Sequence, residues 1–236
     1  MRPDANNELR IAAMISFTRY LSWADLQRTL FEEEMGSEPG ADDPSAMRNH
    51  EWRWFGLMSY WYASLYVVIE AWDNLGYVDP IVSQLLSQPS DLRMLLRRFR
   101  NGVFHYQESL LTPKILDLLE TGSAHVYWVW ALHQEIVRAF EEHLEQWMVT
   151  DELRVDIRRS MESIVNWYPH TLPSSMESLG ETIIQAHQIL LHNPDDGSEA
   201  RRSLKEAFEG GLRVLNEGKQ KWPEFRAEIL RKAGIK

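Results

Sequence analysis

The stretch Trp52–Trp72 reads WRWFGLMSYWYASLYVVIEAW, and its reading decides the fold. Trp52, Trp54, Phe55, Met58, Tyr60, Trp61, Tyr62, Leu65, Tyr66, Val68, Ile69 and Trp72 cover almost every side of a helix. A helix that is apolar all round is buried all round. The expectation is a long helix over 48–76, serving either as the central core helix or as the seam of an oligomer, since aromatic side chains suit both. Its uncharged run, 54–69, is bounded by Arg53 and Glu70 and falls short of the roughly 20 residues a membrane-spanning helix needs. Glu70 and Asp73 are carboxylates in this apolar setting.

Working outward, Ile11, Ile15, Leu21, Trp23, Leu26 and Leu30 fall at roughly helical spacing and predict a first helix over 9–34. Between the two helices, EEEMGSEPGADDP (32–44) holds two prolines, two glycines and six acids and reads as a mobile, solvated acidic loop. Beyond the central helix, Asp79-Pro80 is a helix start, with Asp as N-cap and Pro at the first helical position. That helix, 80–88, ends at Pro89, and Ser90-Asp91 opens the next. Thr112-Pro113 starts another short helix, reaching about 120, and Gly122 breaks the chain. Val126, Val129, His133, Ile136, Phe140, Leu144 and Trp147 step by three and four and give the clearest amphipathic helix, 123–148. His133 lies on its apolar seam, where a hydrogen-bonded core histidine is expected. Further helices are expected over 151–168, over 174–192 behind the capping box Ser174-x-x-Glu177, over 198–216, and over 223–233 opened by Trp222-Pro223. No stretch alternates long enough to be a strand. The prediction is all-α, with a helical bundle in 1–150 and a C-terminal helical extension in 151–236 that packs separately or into the same domain.

The chain has 236 residues, a net charge of −10 and no cysteine. Disulfides and thiolate metal sites are excluded. The polar N-terminus MRPDANNELR has no apolar signal-peptide core, so the expectation is a cytoplasmic protein without a membrane partner. The acidity argues against general nucleic-acid coating, so any phosphate site is a local basic patch. No HExxH, P-loop, GxGxxG or GxSxG occurs, and no glutamate lies three residues before a histidine. No metal ligand set and no cofactor is expected.

The basic patch is LLRRFRNGVFHY (95–106), where Arg97, Arg98 and Arg100, with Arg93 just ahead of the stretch, precede Asn101-Gly102 and His105. Leu92, Leu95, Leu96, Phe99 and Val103 make the buried stripe of this helix. Arg93, Arg97 and Arg100, spaced four and three, form a separate one. Such a stripe is also what a solvated face looks like, and a histidine at a helix end is also a favourable cap. Positions five apart on an unbroken helix point about 140° away from each other, so Arg100 and His105 meet only if Asn101-Gly102 bends or ends the helix, which glycine tolerates cheaply. Brought together, a guanidinium fork holds a phosphate and an imidazole with a pKa of about 6.5 moves a proton near neutrality. That pair suits metal-free phosphodiester cleavage.

At these residues the chain resembles the HEPN family, whose signature is an arginine, often a polar residue after it, and a histidine four to six positions on, here Arg100-Asn101-Gly102-Val103-Phe104-His105. The similarity extends upstream through 66–86 and downstream to about 144. It implies an all-α HEPN-like bundle with additional C-terminal helices. It also implies a homodimer whose two motifs face each other, and a metal-independent endoribonuclease in a toxin or phage-defence role. By resemblance, Arg100 contacts the scissile phosphate, His105 is the acid/base and Asn101 orients, with Arg93, Arg97 and Arg98 adding phosphate-binding potential. RNA and an antitoxin or regulatory protein are the implied partners. Some members are non-catalytic modules that bind RNA, nucleotide or protein, and that alternative stays open.

Overall fold

The structure, a computed structural model, describes residues 5–37, 44–88, 91–147 and 199–235. Among them are seven α-helices and no strand: α1 (Ala5–Gly36), α2 (Pro44–Leu75), α3 (Pro80–Leu86), α4 (Leu92–Phe104), α5 (Pro113–Leu119), α6 (Ser123–Trp147) and α7 (Glu199–Lys232). The expected helices over 151–168 and 174–192, with their capping box, lie outside the described residues. The chain forms two compact units, one of Met1–His170 with Leu230–Lys236 and the other of Thr171–Ile229. No helix among the described residues is long and apolar enough to cross a membrane.

In the first unit α2 is the central element, packing on α1 and α4, while α5 packs on α4 and α3 on α6. Trp61, Tyr62, Leu65, Tyr66, Ile69 and Trp72 are buried, but Trp52 and Tyr60 stay exposed. The helix is therefore a core helix with one side open at its first half. On α1 the apolar residues divide between two faces. Met14, Phe17, Leu21 and Ala24 enter the core, whereas Trp23, Leu26 and Leu30 face outward. On α6, Val129, His133, Ile136, Phe140 and Leu144 are buried as their spacing predicts, and Val126 is exposed. One end of the core is an aromatic cluster. The Phe17 ring centroid lies 4.7 Å from that of Phe140 and 5.4 Å from that of Tyr77, which stacks on His143 at 5.2 Å.

The other end is polar and buried. His133 has no exposed surface; Trp61 Nε1 donates to its Nδ1 at 3.2 Å, and its Nε2 lies 3.1 Å from Asp25 Oδ1. An Nδ1 that accepts carries no proton, so Nε2 holds the proton and donates it to Asp25. Arg28 donates twice to the same Oδ1, at 3.0 and 2.8 Å, and also to Glu32, which accepts from Trp130 Nε1. The core histidine expected from sequence is thus hydrogen-bonded on both sides and ties α1, α2 and α6 together. Burial by itself raises the Asp25 pKa, but the His133 and Arg28 bonds overcome it and hold the carboxyl well below the usual range. Burial pushes the His133 imidazole down.

Local signals explain most boundaries. Asp79 Oδ1 accepts from the backbone N–H groups of Ile81 and Val82, at 2.9 Å each, and Asp79 also pairs with Arg138. Gly76 at φ +66° closes α2 and Gly122 at φ +65° precedes α6, a conformation open to glycine without strain. At two places a helix runs on through sequence that reads as a break. Helix α1 continues through Glu32–Gly36 because these acids find partners: Glu32 binds Arg28, and buried Glu34 binds His50 at 3.0 Å and Arg53 at 2.8 Å. Helix α7 runs through Pro223, which drops one backbone bond without ending it.

Removing one partner of a buried ion pair leaves an uncompensated charge. Asp25→Ala should therefore lower the unfolding free energy by about 3–5 kcal/mol in urea melts. Below the ordinary histidine pKa the unfolded chain takes up a proton that folded His133 refuses, so stability falls as pH falls through that range. The slope from this residue is at most about 1.4 kcal/mol per pH unit. Melts of His133→Gln between pH 7 and 5 should show a shallower slope than wild type.

Candidate functional site

Helix α4 ends two residues beyond Gly102, not at it. Asn101 and Gly102 are both helical, α4 runs to Phe104, and His105 is the C-cap with extended backbone at φ −119° and ψ 139°. Gly102 is not bent. A Cβ there would stand 3.0 Å from Ile115 Cγ1 and 3.3 Å from Lys114 Cβ, so the glycine lets α5 approach closely and any larger residue makes these side chains shift. The condition for Arg100 and His105 to meet within one chain, a bend or helix end at Asn101-Gly102, is not fulfilled, and the chain leaves the helix at His105.

Arg100 is fixed on the α2 side. Its Nη2 donates to Glu70 Oε2 at 2.8 Å and its Nη1 to Asn101 Oδ1 at 2.9 Å. Its guanidinium carbon lies 5.8 Å from the Tyr66 ring centroid, within cation–π range. Its Nε is enclosed and has no hydrogen-bond partner among the described residues. Asn101, to which the resemblance gave an orienting role, touches the guanidinium through this bond. His105 is exposed; its carbonyl accepts from Gln107 Nε2, and no hydrogen bond or ion pair joins its ring to Arg100. One chain brings Arg100, Asn101 and Glu70 together and leaves the imidazole one turn away and open.

Two of the remaining arginines are matched by carboxylates. Arg93 pairs with Asp73 and Arg98 with Asp117. Arg97 is exposed and makes no ion pair among the described residues. The mutual repulsion of the closely spaced arginines is therefore largely relieved from within, by acids on α2 and α5. Tyr66, Glu70 and Asp73 line one face of α2, spaced four and three, and meet the arginine stripe of α4, spaced four and three. Tyr66 is the member that sequence reading missed. Its phenol pKa is raised, first by burial and then by the Glu70 charge, while Arg97, Arg93 and Arg100 oppose the shift, so it stays protonated beside the guanidinium. Its signal was the matched spacing of the two stripes. Among the described residues no group of three His, Asp or Glu is arranged to hold a metal ion.

The Arg100 and Glu70 side chains are 27% and 38% exposed, so solvent weakens their attraction. A double-mutant cycle with Glu70→Gln and Arg100→Gln should give a coupling of about 1 kcal/mol or less. Gly102→Leu should cost more, about 1–3 kcal/mol in urea melts, because overpacking against Ile115 outweighs the helix-propensity gain of about 1 kcal/mol. No family model matches the chain, and neither the curated proteins nor the solved structures include a match.

Proposed function

We propose that the chain is a metal-independent endoribonuclease of HEPN type, acting as a homodimer in which Arg100 and His105 of two subunits form one composite site. The observation that carries this reading is the division of labour at the end of α4. A guanidinium is hydrogen-bonded to Glu70 and Asn101, and an imidazole stands exposed on the extended residue that follows the helix. Arg100 is oriented to neutralise a phosphate, while His105 is free to reach a reacting hydroxyl. A second copy supplies what one chain lacks, a histidine close to each arginine. In the reaction the 2′-oxygen bonds to phosphorus as the bond to the 5′-oxygen breaks. One imidazole takes the 2′-hydroxyl proton, an imidazolium gives a proton to the departing 5′-oxygen, and the products are a cyclic phosphate and a 5′-hydroxyl. A toxin or phage-defence role, with an antitoxin or regulatory protein as partner, accompanies this reading.

A second reading is favoured by the ion pairs. Arg93, Arg98 and Arg100 already face Asp73, Asp117 and Glu70, so a phosphate competes with carboxylates. That suits a non-catalytic module that binds RNA, nucleotide or a protein partner with modest affinity. Incubating labelled RNA with wild type in EDTA separates the two. The ribonuclease predicts cleavage that His105→Ala and Arg100→Ala each reduce by at least about 100-fold, with 5′-hydroxyl products. Intact RNA that is nonetheless retarded in gels, more so with Glu70→Gln, supports the binding module. RNA neither cut nor bound removes both.

A further inference from the structure

The outward face of α1 is unusual in its order of residues. Arg19, Trp23, Leu26, Leu30 and Glu33 recur at steps of four and three, so they lie on one stripe. All five are exposed, and the apolar three are 52%, 53% and 37% exposed. Arg19 covers the Tyr20 and Trp23 rings, at 4.9 and 5.3 Å, which leaves its charge at the surface. Glu33 makes no ion pair among the described residues. Beside the stripe, between the second half of α1 and the first half of α2, runs an open groove of about 470 Å³ lined by Leu30, Glu33, Trp52, Gly56, Leu57 and Tyr60. Trp52 and Tyr60 are 58% and 54% exposed, and a Cβ added at Gly56 would meet no atom within 4 Å. Adjacent exposed aromatic and aliphatic residues of this extent mark an interaction surface.

We propose that this face is a two-fold dimer interface, in which α1 of one copy crosses α1 of another in antiparallel sense with Leu26 at the axis. The stripe is self-complementary about that residue. Arg19 and Glu33 lie seven positions to either side, each about 10.5 Å away along the helix and within about 20° of the same face. Antiparallel pairing sets Arg19 against the partner's Glu33, and the two-fold axis makes that contact twice. The same register brings the partner's Trp23 opposite residue 29, next to Leu30 at the mouth of the groove. The groove thus receives an indole between Leu30, Leu57, Trp52 and Tyr60, and an anchoring aromatic in a fitted pocket is how interfaces concentrate their energy. Opposite charges at both ends set the register, and the parallel arrangement is disfavoured because it sets like charges together.

The interface borders the candidate site, since the Tyr60 ring centroid lies 6.3 Å from that of Phe104, the residue before His105. The inference does not rest on RNA chemistry, and the nuclease assay reads that separately. Sedimentation equilibrium of the full chain over about 1–100 μM tests it, with circular dichroism to verify folding. Wild type should dimerise in the micromolar range. Leu26→Glu, which faces its own copy across the axis, and Gly56→Leu, which fills the groove, should each weaken the dimer at least about tenfold. Arg19→Glu and Glu33→Arg should each weaken it, and the double variant should return to within about threefold of wild type, because the contact is restored with its signs exchanged. A wild-type monomer at the highest concentration overturns the proposal. So does a dimer indifferent to Leu26→Glu, and so does a double variant no better than the singles.

Discussion

The fold hangs on a carboxylate buried where apolar packing alone would exclude it. Asp25 sits in the first helix, faces the core, and is held charged by a cation from its own helix, Arg28, and by a hydrogen bond from His133 on the sixth. His133 in turn accepts from Trp61 on the second helix. A buried ion pair is a weak source of net stability, because desolvation offsets much of the attraction. Its strength here is in direction. Trp61 on α2 donates to His133 on α6, and His133 donates to Asp25 on α1, so one chain of hydrogen bonds joins the three helices and leaves the buried carboxylate paired. The aromatic cluster at the other end of the core, Phe17 with Tyr77 and Phe140, supplies non-directional burial.

The same helix that anchors this network also carries the floor of the candidate site. Helix α2 turns Trp61 and Tyr62 into the core and, further along, presents Tyr66, Glu70 and Asp73 to α4. The arginines of α4 are therefore not an isolated basic patch on an acidic body. They are half of a ladder whose other half is acidic. The consequence for function is a guanidinium whose direction is set before any ligand arrives, at the expense of part of its charge. Preorganised donors favour catalysis over simple attraction, while a neutralised stripe limits non-specific affinity for polyanions.

Much of the architecture was legible in the residues. The aromatic run of α2, the three-and-four steps of α6, and Asp79-Pro80 and Thr112-Pro113 as helix starts all read directly, because each depends on neighbours within a turn or two. The core role of His133 was legible for the same reason. The division of α1 into two apolar faces was not, since Leu21 and Leu26 look alike in sequence and only the position of α2 decides which is covered. The acids of 32–34 looked like the start of a loop, yet Arg28, His50 and Arg53 draw two of them into structure. At the site, Arg100, Asn101 and His105 were visible as a motif, whereas Tyr66 required knowing that two stripes of equal spacing face each other.

Gly102 marks the boundary between the two kinds of information. By itself the sequence determined that the chain is helical, where most helices of the first unit begin, and that arginine, asparagine and histidine gather at one helix end, because these follow from local periodicity, capping and composition. It made the meeting of Arg100 and His105 depend on a bend or a helix end at Asn101-Gly102, which is what glycine offers the backbone. Only the tertiary structure decided that the glycine serves the approach of Ile115, that α4 stays helical to Phe104, and that His105 stands out from the helix while Arg100 turns toward Glu70. The physical reason is that a missing side chain creates space as well as flexibility, and which of the two is used depends on a neighbour that the local sequence does not contain.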